Sequence, residues 1–249
     1  MHRGARTLTR AAGPSALFGC VLLALAGDAR AAIPATERAA LIALYDSTNG
    51  AGWGDRSNWR NADDTDFAPV GTECAWACVT CAYGAHVETL ALEFNNLRGA
   101  IPPEIGNLAA LAHLDLADNR LTGSIPVEIG NLTNLQSLAL WNHMEMYGMP
   151  KGQLAGPIPA EIGNLTNLRY LRLDGNRLSG PIPPGIGNLT QLVRLDLYDN
   201  QLGGPIPDEI GNLTRLVYLY LSRNDLAGPI PLESATSRSC TCFTCSRTT

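Results

Sequence analysis

From Val87 onward the chain copies itself, and a self-similar chain folds as a stack of like units rather than as an ordinary globule. The run Leu90-x-Leu92-x-x-Asn95-x-Leu97-x-Gly99-x-Ile101-Pro102 recurs 24 residues later as Leu114, Leu116, Asn119, Leu121, Gly123, Ile125 and Pro126. Further copies begin at Leu135, Leu168, Leu192 and Leu216, giving six units over residues 87–231. Central copies close with the same four residues, as in Ile129-Gly130-Asn131-Leu132 and Ile162-Gly163-Asn164-Leu165. Leucine at alternate positions specifies a short strand with one buried face, and the Gly followed by Ile-Pro turns the chain back. No unit can bury its leucines alone, so successive strands must stack in parallel, and stability is nearly a sum over adjacent units. Asn95, Asn119, Asn176, Asn200 and Asn224 are expected to be buried with their amides bonded to backbone, because an unpaired buried amide is costly.

The full pattern, L-x-x-L-x-L-x-x-N-x-L-x-G-x-I-P-x-x-I-G-N-L-x-x, resembles the plant-type leucine-rich repeat family of plant receptor-kinase ectodomains and polygalacturonase-inhibiting proteins. The resemblance implies an α/β solenoid, a horseshoe with a parallel concave sheet and a small helical N-terminal cap. Residues 32–86 hold no repeat and are assigned to that cap, which must cover the apolar end of the first unit. Residues 35–45 have helix-forming composition, with Leu41, Leu44 and Tyr45 on one face, Thr36 as a candidate N-cap and Gly50 beyond the end. Trp53, Trp59 and Trp76 add bulk. The family's cap carries a C-x-W-x-G-V-x-C element, here residues 74–81, so the resemblance implies a Cys74–Cys81 disulfide, with Cys78 standing where the family has Gly. Three cysteines at this spacing would also suit a metal, but export and an incomplete ligand set favour the disulfide. Asp63, Asp64 and Asp66 lack the Gly and distal Glu of a calcium loop and read as a solvated acidic turn.

Arg3, Arg6 and Arg10 precede an apolar run over residues 16–26, and Ala29-Arg30-Ala31 supplies a small-x-small site, which reads as a secretory signal peptide over residues 1–31. The run is too short to span a bilayer, and it lies mostly after Cys20, where a lipid-attachment signal needs it before. The expected location is secreted or cell-surface, with disulfides permitted. The formal charge of −5 becomes 14 basic against 22 acidic residues once residues 1–31 are removed, a balance that speaks against nucleic acid as a partner. Residues 232–249 break the repeat. Read one base out of frame, their codons permit Ile-Gly-Asn-Leu from position 234 and then a Leu-Tyr-Leu strand one period after Leu219-Tyr220-Leu221, which points to a single-base deletion near codon 233 and a frameshifted seventh repeat. On that account Cys240, Cys242 and Cys245 arise from the shifted frame and are not zinc ligands. A membrane partner is expected only if a further C-terminal segment supplies an anchor.

Side chains alternate along a strand, so three columns face outward from the concave sheet. The first holds Thr89, His113, Ser137, Tyr170, Arg194 and Tyr218; the second Ala91, Asp115, Ala139, Arg172, Asp196 and Tyr220; the third Glu93, Ala117, Trp141, Asp174, Tyr198 and Ser222. Exposed Tyr and Trp beside Arg is the composition of interface hot spots, and stacked rings also suit sugars. The candidate ligand-binding residues are therefore Trp141, Tyr170, Arg172, Asp174, Arg194, Asp196, Tyr198, Tyr218 and Tyr220. The third unit carries nine extra residues between Leu140 and Leu154, which place His143 or Gly152 at the Asn position. Loops inserted into a solenoid favour its binding face, so Met146 and Tyr147 join the candidates. Met144, Met146, Met149 and His143 would suit copper(I), but a packed Met loop needs no metal, and no cofactor is assigned. Asn131, Asn164, Asn188 and Asn212 begin Asn-Leu-Thr glycosylation sequons that the repeat itself already explains. His113, Asp115 and Ser137 sit on neighbouring strands, yet an open sheet offers neither an ordered triad nor an oxyanion hole, and the chain is not read as an enzyme. The expected function is an exported recognition or adhesion module for a protein, peptide or glycan ligand, resembling a receptor ectodomain; the alternative is an inhibitor of a secreted hydrolase such as a polygalacturonase.

Overall fold

The computed structural model describes residues 32–82, 85–143 and 152–228; the signal segment, the tail with its cysteines, and Met146 and Tyr147 lie outside the described residues. Helix α1 (Ala35–Ser47) buries Ala40, Leu41, Leu44 and Tyr45. It begins one residue before the expected N-cap: the carbonyl of Pro34 accepts the first helical bond from Arg38 N at 3.0 Å, so Thr36 lies inside the first turn. Proline suits that place because its fixed φ leads into a helix and its missing N–H would have gone unused there. Glu37 on the buried face accepts from Val87 N at 2.8 Å and from His86 Nδ1 at 2.6 Å, which fastens the helix to the first repeat strand. Arg38 pairs with the buried Glu73. Trp59 is fully buried between Trp53, at 4.9 Å between ring centres, and Trp76, at 4.8 Å. Cys74 and Cys81 are joined by the disulfide that the resemblance implied. Cys78 adopts φ +64°, a left-handed conformation that explains why Gly is the residue expected there.

Strand β1 (Val79–Ala82) pairs antiparallel with β2 (His86–Ala91), so the cap starts the concave sheet. From β2 the sheet runs in parallel through β4 (His113–Asp115), β6 (Ser137–Ala139), β8 (Tyr170–Arg172), β10 (Arg194–Asp196) and β12 (Tyr218–Tyr220). The expected α/β solenoid with a parallel concave sheet and helical cap is what the chain forms. A second parallel sheet runs behind it, made of β3 (Arg98–Ala100), β5 (Arg120–Gly123), β7 (Gln153–Gly156), β9 (Arg177–Gly180), β11 (Gln201–Pro205) and β13 (Asp225–Ala227). Between the sheets each of the first five units makes one 3-10 turn, as at Pro103–Asn107, and its Ile and Leu complete a continuous apolar core. The four sequon asparagines end such turns and are exposed.

The asparagine ladder works as the sequence predicts. Asn119 Nδ2 donates to Leu92 O at 2.8 Å and Leu116 O at 2.9 Å, while its Oδ1 accepts from Asn95 N at 3.1 Å and Leu97 N at 2.9 Å. Asn176, Asn200 and Asn224 repeat the donor pattern, although Asn224, expected to be buried, is only half-buried. The residue just before the ladder position turns left-handed in unit after unit, with φ of +54° at Phe94, +48° at Asp118, +71° at Gly175, +55° at Asp199 and +54° at Arg223. In the third unit Gly152 takes the ladder place, because Leu154 pairs with Gly123 as Leu121 pairs with Gly99. A Cβ at Gly152 would stand 2.4 Å from Asn176 Oδ1, so the position has no room for a side chain.

Candidate functional site

The outward columns lie in register. Thr89, His113, Ser137, Tyr170, Arg194 and Tyr218 are successive strand partners, and so are Ala91, Asp115, Ala139, Arg172, Asp196 and Tyr220. The third column follows the same order, since the ladder continues past the strands through Phe94 N to Ala117 O, Asp118 N to Trp141 O, Asn142 N to Asp174 O and Gly175 N to Tyr198 O. The repeat thus sets side chains from distant parts of the sequence side by side on one sheet.

Its later units carry cations on rings. The Arg172 guanidinium lies 4.5 Å from the Trp141 ring centre, Arg194 lies 4.9 Å from Tyr220 and 5.9 Å from Tyr218, and Arg223 lies 5.3 Å from Tyr198. Tyr218 and Tyr220 are parallel rings 6.5 Å apart. Tyr170 and Tyr218 keep 45% and 40% of their surface exposed, the largest apolar contacts this half of the face offers. Asp174 and Asp196 stand in the expected columns but belong to the floor: both are buried, and they hold the cations above them. Arg194 Nη2 meets Asp196 Oδ2 at 2.6 Å, and His143 Nε2 meets Asp174 Oδ2 at 2.7 Å. That hydrogen bond raises the His143 pKa above its usual 6.5, whereas burial first, and then repulsion from Asp174, pushes the Asp196 carboxyl up.

Asp118, His143, Phe94 and Arg223 were not among the candidates from the sequence, yet they border the face. Asp118 accepts from His143 N at 2.6 Å, and Phe94 is 52% exposed. Phe94, Asp118 and Arg223 sit at the left-handed position after the third column, one residue beyond where strand alternation can be read. Among the described residues no hydrogen bond joins His113, Asp115 and Ser137, and Asp115 accepts the N–H of Ala117 at 3.0 Å. Among the described residues no three His, Cys, Asp or Glu side chains are grouped to hold a metal ion. The acidic turn of the cap is instead tied by Arg56 to Asp64 at 2.7 Å and by Thr65 to Asp63.

Comparison with known proteins agrees with this geometry. Family models described as leucine rich repeat match residues 166–226, and residues 86–108 and 110–132. A probable inactive leucine-rich repeat receptor-like protein kinase of Arabidopsis thaliana is 34% identical over 62 residues, 25% of this chain and 8% of that protein. The plant peptide hormone receptor RGFR1, solved in complex with RGF2, is 43% identical with a TM-score of 0.53, over 58% of this chain and 22% of that one. The BIR3–SERK2 complex from Arabidopsis thaliana gives 31% identity and a TM-score of 0.61, over 76% of this chain and 94% of the matched one. The chain therefore spans about a fifth of the RGFR1 chain and less than a tenth of the kinase.

Proposed function

The chain belongs to the plant-type leucine-rich repeat family, and on that premise we propose that its concave face binds an extended peptide or protein segment, the chain serving as a non-catalytic, receptor-ectodomain-like recognition module that is secreted or held at the cell surface. The observation that carries this reading is the bank of arginines stacked on Trp141, Tyr198, Tyr218 and Tyr220 beside the exposed Tyr170. Rings held in place by stacking lose little entropy on binding, and Tyr, Trp and Arg dominate hot spots. The likeness to a plant peptide hormone receptor solved with RGF2, and to a chain of the BIR3–SERK2 complex, supports a peptide or protein ligand. Among the described residues no helix is long and apolar enough to cross a membrane.

The test is selection of a phage-displayed random peptide library on the purified chain, repeated on a variant with Tyr170→Ala, Arg194→Ala and Tyr218→Ala. Peptides retained by the first and lost by the second support the reading. Equal retention by both overturns it. Retention of oligosaccharides on a glycan array, or inhibition of a polygalacturonase on mixing, would replace it with a sugar-binding or inhibitory role.

A further inference from the structure

In the middle of the concave face two cations compete for one carboxylate. Asp174, on the buried floor of the fourth unit, gives Oδ2 to His143 Nε2 at 2.7 Å. Its Oδ1 accepts no hydrogen bond although the side chain is only 2% exposed, and Arg172 Nε, 3.9 Å away, is itself buried and donates to nothing. A buried donor and a buried acceptor left apart each cost free energy that a shift of about 1 Å would recover. What Arg172 has instead is the Trp141 ring, with its guanidinium 4.5 Å from the ring centre. The carboxylate thus has one partner engaged and a second one waiting.

His143 sets the balance between them. Its backbone N–H donates to Asp118 at 2.6 Å and its ring lies 5.0 Å from that of Trp141, which fixes the residue beside Asp174 whatever the charge on the imidazole. The charged groups that face it are Asp174, Asp118 and Arg172. Arg172 in turn faces Glu93 and Asp115, while Asp196 lies near Asp174 but is paired with Arg194. Protonated, the imidazolium takes up the charge of Asp174 in a charge-assisted bond and leaves Arg172 to the ring. Neutral, it keeps only an ordinary hydrogen bond, and Arg172 becomes the one cation within 4.0 Å of Asp174 among the described residues. The hydrogen bond to Asp174 raises the His143 pKa, so the exchange falls above pH 6.5.

We propose that protonated His143 is a latch on the binding face: it holds Asp174 and so leaves Arg172 stacked on Trp141, and when the proton leaves, Arg172 turns onto Asp174 and the stack is lost. The bank of stacked arginines is then complete in acid and broken in its middle as pH rises. For a ligand the consequence rests on the peptide-binding reading above: a peptide lying across the third and fourth units is held at acidic pH and released above the His143 midpoint. A charge-assisted hydrogen bond outweighs a neutral one by about fivefold in equilibrium. The ratio of covered to uncovered Trp141 ring is therefore expected to shift about fivefold across the transition.

The experiment is acrylamide quenching of Trp141 fluorescence over about pH 5 to 9, with the signal of Trp141→Phe subtracted to remove Trp53, Trp59 and Trp76, which are buried in the cap. In the unmodified chain without ligand, quenching should rise with pH in one step at the His143 midpoint. His143→Gln should stay at the uncovered level with no step, and Arg172→Gln should also show none, circular dichroism confirming the fold of both. Absence of the step in the unmodified chain overturns the proposal. So does a step that survives in His143→Gln, which would belong to Asp118 or Asp196, or in Arg172→Gln, which would be direct quenching of the indole by the imidazolium. These outcomes need no ligand, so they stand apart from the peptide-binding reading, which the library selection tests by itself. Library peptides that lose affinity for Trp141→Ala should bind the unmodified chain about fivefold more weakly above the midpoint than below it; affinity independent of pH overturns the proposal and leaves the peptide-binding reading in place.

Discussion

Replacing Asn119 by alanine tests whether hydrogen bonding of the buried ladder, and not leucine packing alone, holds each unit to the next. The side chain bridges two units: Nδ2 reaches Leu92 O of the first unit and Leu116 O of its own, and Oδ1 receives Asn95 N and Leu97 N. Truncation strands two N–H donors outright in a core where Leu92, Leu97 and Leu116 are no more than 1% exposed. A buried donor left without a partner costs about 1–3 kcal/mol, and the two carbonyls add less because each can accept elsewhere, so the expected loss is about 3 kcal/mol, with ~5 as the ceiling. Asn95→Ala serves as the internal comparison, since its amide, though buried, meets only the backbone of the exposed Asp55, at 2.5 and 2.8 Å, which water can reach once the side chain is gone. There the expected loss is about 1 kcal/mol. Urea unfolding followed by circular dichroism gives the two losses, and hydrogen exchange locates them, with the Asn95 and Leu97 amides losing protection in Asn119→Ala. The reasoning fails if the two variants unfold at the same urea concentration, or if those amides keep their protection.

Three other substitutions probe the third to fifth units. A Cβ on Gly175 would stand 1.9 Å from the Asn142 carbonyl, so Gly175→Ala must push residues 142–143 off the face; crowding of this kind costs about 1–3 kcal/mol beyond the ~1 kcal/mol of a left-handed alanine. Asp199→Ala at the equivalent position has φ +55° already and should lose under about 1 kcal/mol; equal melting temperatures for the two variants would refute the account. His143 gains its raised pKa from Asp174, so the pair's stabilisation is fully present below the unfolded value near 6.5 and is lost as pH rises through the higher folded value. A proton NMR titration should place the His143 midpoint above 6.5 and return it toward that value in Asp174→Asn; a midpoint at or below 6.5 in the unmodified chain would sink the idea.

What the sequence made readable, and what it did not, follows from where a pattern has a period. The concave columns were legible because side-chain alternation of two residues, repeated every 24, leaves one choice of buried face. The second sheet was not legible: Arg120–Gly123 and its equivalents are three to five residues long, carry Gly at positive φ, and become strands only because the stacked units bring their backbones together. The helix start was misplaced because Thr36 has a capping side chain, whereas the Pro34 carbonyl makes the first bond. The face itself shows the same limit. Alternation placed Asp174 and Asp196 outward correctly, but burial depends on what neighbouring units lay across them, and Arg194 and His143 cover both.

The third unit makes that dependence concrete. Its insert puts Gly152 where the ladder wants an asparagine and leaves Asn142 to donate to Asn119 O at 2.6 Å. The next residue, His143, is thereby carried onto the concave side, where it meets Asp174 and lies 5.0 Å from the Trp141 ring. A regular third unit would have placed an ordinary ladder asparagine there and left Asp174 with Arg172 alone. The irregularity that weakens the spine is thus the one that organises the middle of the face, beside the stacked arginines. A ligand crossing from the first unit to the sixth must pass over it, so His143→Ala should weaken peptides that span both halves and spare those confined to Tyr170 and Tyr218, a distinction the selected peptides make directly measurable.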